Sequence, residues 1–243
     1  MEPAGRHALV TGGGQGIGAA IARALTEAGA IVTVLGRTRA TLERMVADGH
    51  AAGFIVADVT APPPDLGYVE ILVNNAGAVE TAAFAKLDRA MWDRAIAGNL
   101  TSVYTLTQAV LPGMVERGRG RVVNVASTAG LVGYPYVAAY VAAKHGVIGL
   151  TRALALELAK TGVTVNAVCP GYTETELMVE SMRGLMARTG RTEDEARAAY
   201  ARANPQGRLV APEEVAAAVM FLVGPNSDAM TGQSIAVAGG EVM

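Results

Sequence analysis

Tyr140 and Lys144 are the residues whose types and spacing most directly suggest chemistry in this sequence. A separation of four residues places two side chains on one face of a helix, where both can reach one bound molecule. Free tyrosine, with a pKa near ~10, is a poor base at neutral pH, and a neighbouring ammonium would lower that pKa. The pair therefore predicts general acid–base chemistry by the tyrosine, with the lysine as its electrostatic partner.

Taken alone, the same spacing also fits an interfacial tyrosine beside a solvent-exposed lysine. Two further features favour chemistry. The chain has only three lysines, and one of them is Lys144. Ser127 lies 13 residues before Tyr140, directly after a predicted strand at residues 121–125. A hydroxyl at the carboxyl end of a parallel strand faces the place where open α/β sheets bind ligands.

A glycine-rich segment lies near the start of the chain, between a predicted strand at residues 7–10 and a predicted helix at 17–28. Its sequence is Thr11-Gly12-Gly13-Gly14-Gln15-Gly16-Ile17-Gly18. Glycines let a backbone approach a pyrophosphate, and a helix N-terminus adds free N–H donors with partial positive charge. Turns also need glycine, but the position between strand and helix predicts a dinucleotide site.

The end of the predicted second strand, at residues 31–35, bears on the choice of nicotinamide cofactor. NAD sites place a carboxylate about 20 residues beyond the glycines, on the ribose 2′-OH. Here no acid occurs between Ile31 and Glu43, while Arg37 and Arg39 follow the strand. A guanidinium suits a 2′-phosphate, although two solvated loop arginines would give the same pattern. We therefore expect a preference for NADP(H), with NAD(H) possible.

Short apolar segments alternate with longer helical patterns along the whole chain, which is typical of parallel strands joined by crossover helices. The sequence predicts one α/β domain over residues 1–243: a Rossmann-like, doubly wound, parallel, seven-stranded sheet with helices on both faces. Further strands are predicted at 53–57, 71–73, 163–168 and 234–237, and helices at 41–48, 91–110 (continuing towards 116), 137–160 and 212–223. Three consecutive prolines at 62–64 predict a loop, not a helix, at 58–69.

Composition narrows the range of functions. The chain is 51% hydrophobic and 17% charged with a net charge of −2, which favours a large core and argues against nucleic acid or anionic membrane as partners. No stretch predicts a membrane span or a signal peptide, and the lone Cys169 can form no intramolecular disulfide, so we expect a cytoplasmic protein. No set of His, Asp and Glu has metal-ligand spacing, and we expect no metal.

Together these motifs resemble those of the short-chain dehydrogenase/reductase family. The glycines at 12, 16 and 18 give the family's Gly-x-x-x-Gly-x-Gly form with Thr11 in front. The resemblance extends to Asn74-Asn75-Ala76-Gly77, Asn99, Ser127, Tyr140 with Lys144, and Pro170-Gly171. It implies an NAD(P)(H)-dependent oxidoreductase that transfers a hydride between nicotinamide and a ketone or secondary alcohol.

The resemblance also implies a role for each site residue. Ser127 would hydrogen-bond the substrate oxygen while Tyr140 donates or removes its proton. Lys144 would hold the ribose hydroxyls and support the tyrosinate, and Asn99 would anchor a water in a proton relay. Asp58 would hold the adenine amino group. The expected cofactor-binding set is Gly12, Gln15, Gly16, Ile17, Gly18, Arg37, Asp58, Val59, Asn75, Ala76, Gly77, Tyr140, Lys144, Pro170, Gly171, Thr173 and Thr175, although the family more often has an aliphatic residue where Thr173 stands.

Residues 174–208 form a long segment that predicts a substrate lid of one or two helices, which would exclude water and shape the pocket. Its arginines either form a solvated face balanced by Glu193, Asp194 and Glu195, or attract a phosphorylated carrier such as coenzyme A or phosphopantetheine. These arginines are Arg183, Arg188, Arg191, Arg197, Arg202 and Arg208.

The segments 159–171 and 207–215 resemble those of polyketide ketoreductases and 3-oxoacyl thioester reductases. The resemblance implies a 3-oxoacyl or 3-hydroxyacyl thioester substrate, linked to coenzyme A or a carrier protein. The alternatives are a dehydrogenase of cyclic or aryl secondary alcohols and a dinucleotide-binding protein without catalysis, which the complete set of four catalytic residues disfavours. The family also implies a homotetramer, and small residues near Tyr140 would permit close helix contact between subunits.

Overall fold

Seven parallel strands form one sheet in the order β3-β2-β1-β4-β5-β6-β7. This computed structural model describes residues 2–243. The predicted fold class, with helices on both faces of the sheet, is confirmed. The strands are β1 (His7–Thr11), β2 (Ile31–Gly36), β3 (Gly53–Val56), β4 (Ile71–Asn74), β5 (Gly120–Val125), β6 (Val163–Pro170) and β7 (Ser234–Val237).

Eight α-helices connect or extend the strands within the described residues. The chain has a π-helical turn at Ala97–Thr101 between the third and fourth helices, and short 3₁₀ turns at Phe84–Lys86 and Thr128–Gly130. The helices are α1 (Gly16–Glu27), α2 (Arg39–Ala47), α3 (Arg89–Ile96), α4 (Ser102–Glu116), α5 (Ala138–Glu157), α6 (Glu176–Thr189), α7 (Glu193–Ala201) and α8 (Pro212–Val223).

Successive side chains along each strand point to opposite faces of the sheet, so the hydrophobic core has two layers. In β1, Ala8 and Val10 pack with α1, α2 and α8 on one face of the sheet. Leu9, between them, packs with α4 and α5 on the other face. Every residue of β5 and β6 is buried because helices cover both faces there. This explains why the central strands have nearly continuous apolar sequences.

The order of the strands reverses between β1 and β4. From β1 the chain adds β2 and β3 on one side, then crosses to β4, β5, β6 and β7 on the other. Because all the strands are parallel, every segment that follows a strand emerges at the same edge of the sheet. The crevice at such a reversal is where open α/β sheets bind ligands.

The structure departs from the sequence-based boundaries in a few places. The helix predicted at 91–110 begins at Arg89 and is interrupted by the π-helical turn before it continues through Pro112 to Glu116. The helix predicted at 137–160 ends at Glu157. The connection at 58–69 contains no helix, as its prolines predicted. The segment 174–208 contains the two helices α6 and α7.

A buried chain of polar side chains crosses the middle of the sheet. The amide of Asn74 donates to Thr107 Oγ1 at 3.1 Å and to Asn124 Oδ1 at 2.9 Å. Asn124 in turn donates to Thr151 Oγ1 at 2.9 Å. The chain thus joins α4, β4, β5 and α5 through directional bonds. Buried polar groups of this kind are costly unless paired, so they specify one register between these elements.

No helix within residues 2–243 is long and apolar enough to cross a membrane.

Candidate active site

Ser127, Tyr140 and Lys144 meet at the carboxyl end of β5. Ser127 follows Ala126, and its Oγ accepts from the N–H of Ala129 at 3.1 Å. Its hydroxyl also lies close enough to the phenol of Tyr140, on the first turn of α5, to lower the pKa of that phenol. One turn further along, Lys144 lies with its Nζ 5.6 Å from the centroid of the Tyr140 ring. The structure therefore brings together the three residues that the sequence placed 13 and four positions apart.

Lys144 is a buried cation with one hydrogen-bond acceptor. Only 4% of the residue is exposed, and Nζ donates to the main-chain oxygen of Val125 at 2.9 Å. Burial disfavours the charged form and lowers the pKa of Lys144 to about 8. The amine thus lies between α5 and the end of β5, and it is hydrogen-bonded to the last residue of that strand.

The expectation that the lysine lowers the pKa of Tyr140 is wrong for this arrangement. Although the ring keeps some exposure, burial of the phenol raises the pKa of Tyr140 to about 12, while the nearby Ser127 hydroxyl acts in the opposite direction. Lys144 does not offset the burial because its amine is turned to the Val125 carbonyl. The phenol is therefore protonated at neutral pH, and the raised pKa makes it a weaker acid than free tyrosine.

Asn99 is buried inside the π-helical turn, in the segment that precedes α4. Its amide donates to the main-chain oxygens of Ala78 and Ala95 at 2.9 and 3.0 Å, and its Oδ1 accepts from the N–H of Ala78 at 3.2 Å. An added Cβ at Gly77 would lie 2.5 Å from Asn99 Oδ1, so glycine is required there. The side chain holds the 77–78 backbone, and its role with a water stays a prediction.

The glycine loop after β1 is bonded to the segment after β4. Thr11 Oγ1 accepts from the N–H groups of Asn75 and Ala76 at 2.9 and 3.0 Å. Asn75 returns a bond to the main-chain oxygen of Thr11 at 2.9 Å. Thr11 and Asn75 therefore do what a strand-stabilising motif is expected to do, and they hold two neighbouring loops in register across the reversal of the sheet.

The glycines of this loop permit close backbone packing. Gly12 has a φ of +62°, which favours glycine, and an added Cβ at Gly18 would lie 2.2 Å from the main-chain oxygen of Gly12. Gln15 precedes α1 and makes no side-chain cap, so the N–H groups of the first helical turn keep no side-chain partner there. Ile17 is packed against the core. This cradle of free N–H donors at a helix N-terminus fits a pyrophosphate.

Arg37 and Arg39, which the sequence could not distinguish, lie in different environments. Arg39 forms an ion pair with Glu43 at 3.2 Å and lies over the Phe54 ring. Arg37 is exposed and forms no hydrogen bond or ion pair within residues 2–243. Of the two, Arg37 is the guanidinium that remains available to a phosphate beyond β2.

Asp58 lies beyond the end of β3, as the sequence predicted for the residue that meets adenine. Its Oδ1 accepts from the N–H and the hydroxyl of Thr60 at 2.9 and 2.8 Å. These bonds, together with the charge of Arg37, hold the pKa of Asp58 below its usual value. The carboxylate is thus ionised and positioned, and the next residue, Val59, packs against the core.

The segment after β6 connects the sheet to α6. Pro170 is the last residue of β6, and Gly171 donates its N–H to the main-chain oxygen of Val237 at 3.1 Å. Thr173 is buried, and its hydroxyl donates to Gly171 O at 3.0 Å. Thr175 caps α6 by accepting from Met178 N at 3.3 Å, and its methyl group lies against Gly16. The start of α6 therefore lies on the glycine loop.

A cleft of about 440 Å³ opens between the glycine loop and the start of α6, lined by residues of both. Within the described residues, no group of His, Cys, Asp and Glu is arranged to hold a metal. Cys169 is fully buried behind Ser127, and burial raises the pKa of its thiol to about 11. His145 is exposed, with its ring nitrogen 3.0 Å from the oxygen of Val141. Neither belongs to the cleft.

Sequence reasoning missed one polar cluster beside the site. Tyr134, seven residues after Ser127, hydrogen-bonds Thr128 at 2.9 Å and Glu241 at a shorter distance. Glu241 is followed by only two residues of the sequence and has no motif around it, so no sequence pattern pointed to it. Only the fold brings the tail to the catalytic loop.

The sheet, its glycine loop and the Ser127–Tyr140–Lys144 arrangement define a dinucleotide-dependent oxidoreductase acting on keto or hydroxy groups. The chain matches the short chain dehydrogenase family over residues 6–185, and it belongs to that family. The family binds a nicotinamide dinucleotide, and the residues described above fit that group.

Relatives are similar over the whole chain. The chain is 39% identical to the 3-oxoacyl-[acyl-carrier-protein] reductase of Vibrio harveyi, with 100% of each chain covered. It is 36% identical to a D-beta-hydroxybutyrate dehydrogenase of Rhizobium meliloti, with 97% of this chain and 98% of the relative covered. The crystal structure of a variant of actinorhodin polyketide ketoreductase with NADPH is 40% identical and has a TM-score of 0.92, with 98% and 97% covered.

The lowered pKa of Lys144 predicts a pH dependence of stability in the cofactor-free protein. Between the folded value of about 8 and the ordinary value of 10.5, the unfolded chain binds more protons than the folded one, so stability rises with pH. Below pH 8 the cost of burying the ammonium is fully present. We expect Lys144→Met to lose, relative to wild type, on the order of 3 kcal/mol across this window.

Urea denaturation of wild type and Lys144→Met at a series of pH values measures this difference. Lys160→Met is the matched control because Lys160 is exposed just beyond α5, and its difference from wild type should stay constant with pH. A constant difference for Lys144→Met as well would show that the buried amine is not desolvated as the structure places it.

Proposed function

We propose that this protein is an NADPH-dependent ketoreductase of 3-oxoacyl thioesters. The observation that carries the proposal is the convergence of the Ser127 and Tyr140 hydroxyls at the carboxyl end of β5, close enough for Ser127 to act on the pKa of the phenol, with the amine of Lys144 one helical turn further along. Two hydroxyls that converge on one point can both reach a single carbonyl oxygen. This is the geometry that ketone reduction by an acid catalyst needs.

In the proposed reaction, a bound nicotinamide dinucleotide supplies the hydride to the carbonyl carbon. Ser127 donates a hydrogen bond to the carbonyl oxygen and orients it. Tyr140 gives its proton to the same oxygen as negative charge develops there, which yields the alcohol. Tyr140 holds the proton that this step needs, since its pKa lies well above neutral pH. Its acidity must increase as negative charge develops on the oxygen that receives the proton. Lys144 and Asn99 hold the elements on which Tyr140 and Gly77 lie, and Lys144 is the residue that would hold the ribose hydroxyls of a bound dinucleotide.

The preference for NADPH rests on Arg37. It is the guanidinium at the end of β2 without an ion pair among residues 2–243, and no carboxylate lies between Ile31 and Glu43 to meet a ribose 2′-OH. Asp58 is on the neighbouring strand end, within the reach of the charge of Arg37. The similar polyketide ketoreductase was crystallised with NADPH, which supports the same choice.

The thioester class rests on the relatives and on the charge of the lid. The name of the Vibrio harveyi relative specifies a 3-oxoacyl group on acyl carrier protein. Of the six lid arginines, Arg197 pairs with Glu174 and Arg208 with Glu214, both at 2.6 Å. The other four are exposed and form no ion pair within residues 2–243: Arg183, Arg188, Arg191 and Arg202. They offer a basic surface for a phosphorylated carrier.

The acids that the sequence offered as partners of these arginines have a different role. Glu193, Asp194 and Glu195 all lie in the first turn of α7, where they complement the positive end of the helix dipole. Glu195 also completes a capping box with Thr192, its Oε2 accepting from Thr192 N at 2.9 Å. The arginine surface is therefore not neutralised by these acids through ion pairs.

The first test is the oxidation of NADPH, and separately of NADH, in the presence of an acetoacetyl thioester. We expect turnover by the wild-type protein and a loss of 10² to 10⁴-fold in kcat for Tyr140→Phe, which removes the proton donor. Binding of NADPH, followed by fluorescence, should persist in the variant. Tyr136→Phe is the matched control because that tyrosine is 63% exposed in the same segment and touches no candidate residue.

Tight NADPH binding without turnover of the thioester would reject the substrate class. The same assay run in the oxidative direction would then identify a dehydrogenase of cyclic or aryl alcohols. Full turnover by Tyr140→Phe would reject the assigned proton donor.

Arg37→Ala tests the cofactor assignment. Loss of a guanidinium that meets the 2′-phosphate should raise the KM for NADPH by roughly tenfold or more and leave the KM for NADH unchanged. Arg39→Ala is the control, since Arg39 is already paired with Glu43. Equal effects of the two variants on NADPH, or an equal effect of Arg37→Ala on both cofactors, would contradict the assignment.

We further infer a cytoplasmic homotetramer. Leu156 on α5 is 82% exposed, and Tyr104 on α4 and Phe221 on α8 are half-exposed, so two separate surfaces carry unburied apolar side chains. In sedimentation we expect a mass four times the 24.9 kDa of the chain, and dissociation in Leu156→Glu. A monomeric wild type at micromolar concentration would reject the assembly.

A further inference from the structure

Glu241 places a carboxylate between the two segments that border the reacting group. Its Oε1 accepts from the Tyr134 hydroxyl, and Tyr134 also bonds Thr128, the neighbour of Ser127. Its Oε2 lies against Gly171, the neighbour of Pro170, where an added Cβ would be 2.7 Å away. One side chain thus contacts both the catalytic loop after β5 and the cofactor segment after β6.

The tail that carries Glu241 is held in place by backbone contacts that only glycine allows. Gly239 and Gly240 have φ values of +60° and +95°. An added Cβ at Gly239 would lie 1.9 Å from Asn204 Oδ1, just beyond α7. The main-chain N–H of Glu241 donates to Ala238 O at 3.1 Å. The carboxylate therefore points to the site because the tail makes a tight turn against the lid.

In the part of the chain that the structure describes, no cation neutralises the carboxylate of Glu241. Within residues 2–243, Glu241 forms no ion pair with arginine, lysine or histidine, and its Oε2 is buried without a hydrogen-bond partner. It interacts with Tyr134 and Tyr172, whose phenol pKa values are raised first by burial and in addition by the charge of Glu241. A carboxylate with a buried oxygen and no counter-charge acts on its surroundings with reduced screening.

The two hydrogen bonds of the Tyr134 hydroxyl determine which group donates in each. A phenol has one proton, and an ionised carboxylate can only accept, so Tyr134 donates to Glu241. The hydroxyl of Thr128 must then donate to the oxygen of Tyr134. The chain from Thr128 through Tyr134 ends on the carboxylate, and none of its donors is left for a substrate anion.

We propose that Glu241 is a specificity-determining residue that excludes free 3-oxo and 3-hydroxy acids from the site while it admits their neutral thioesters. This inference deepens the proposed function and rests on it. In a free 3-oxo acid the carboxylate is two bonds from the reacting carbonyl, so it must lie close to the two segments that Glu241 contacts. In a thioester that position is neutral, and the carrier's phosphates lie far along the chain.

The relatives show why this distinction is needed. Proteins of similar identity to this chain include one named for a 3-oxoacyl group on a carrier and one named for the free acid D-beta-hydroxybutyrate. Overall similarity does not separate the two substrate classes. A single uncompensated charge beside the catalytic loop would separate them.

The test compares reduction of acetoacetate with that of acetoacetyl-N-acetylcysteamine, a neutral thioester without phosphates. In wild type we expect kcat/KM to favour the thioester strongly. Glu241→Gln keeps the shape and an acceptor for Tyr134 but removes the charge, so it should raise the relative kcat/KM for acetoacetate roughly tenfold. Turnover of the neutral thioester reports that the variant is folded and leaves the ratio as the measure.

Two control variants separate charge from structure. Tyr134→Phe keeps the charge of Glu241 and removes the phenol hydroxyl. It should change kcat/KM for acetoacetate and for the thioester by the same factor, and so leave the ratio of the two values constant. Glu180→Gln removes an exposed lid carboxylate on α6 and should leave both values unchanged. A ratio that stays constant in Glu241→Gln, or that shifts as much in Glu180→Gln, would overturn the proposal.

The two proposals fail in distinguishable ways. If wild type reduces neither substrate, the proposed function is wrong. The charge proposal is then decided by calorimetric binding of butyrate and butyramide to the NADPH complex, a matched pair of anion and neutral amide. Glu241→Gln should strengthen the binding of butyrate relative to that of butyramide by roughly tenfold. An unchanged ratio of the two dissociation constants would reject the role of Glu241.

Discussion

The buried hydrogen bond from Lys144 to the carbonyl of Val125 is the contact on which the catalytic geometry depends. An amine with 4% exposure must have an acceptor, and the last residue of β5 supplies it. The bond fixes the rotation of α5, and thereby points Tyr140 at Ser127. The 3₁₀ turn after Ser127 packs on the same helix, since an added Cβ at Gly130 would lie 2.8 Å from Lys144 O.

The parallel sheet turns this local arrangement into a site for two molecules. Its strands are covered on both faces, so every functional side chain has to lie in a segment beyond a strand end, at one edge. Two sets of polar contacts hold those segments in register. Thr11 and Asn75 join the glycine loop to the segment after β4, and the Asn74–Asn124 bond joins β4 to β5. Cofactor and substrate positions are thus connected through hydrogen bonds, not through apolar packing alone.

The charged groups around the site differ with their distance from the catalytic residues. Basic groups lie at the periphery, with Arg37 beyond β2 and the four arginines without an ion pair on the described lid segment, where they are available to phosphates far from the catalytic residues. Nearer the centre lie the buried amine of Lys144, with a lowered pKa, and the carboxylate of Glu241, which has no ion pair within residues 2–243. A substrate that carries its negative charge on a distant carrier suits this distribution, and one that carries it beside the carbonyl does not.

The sequence by itself determined the fold class, the glycine loop and the Ser127, Tyr140 and Lys144 set, because these are matters of periodicity and of fixed spacing along one helix or strand end. Arg37 and Arg39 could not be told apart by sequence, since their difference is the ion pair of Arg39 with Glu43. The direction in which the pKa of Tyr140 is shifted depends on the burial of the phenol and on where the amine of Lys144 points. Glu241 lies about a hundred residues from Tyr134 along the chain, and only tertiary folding brings the two together.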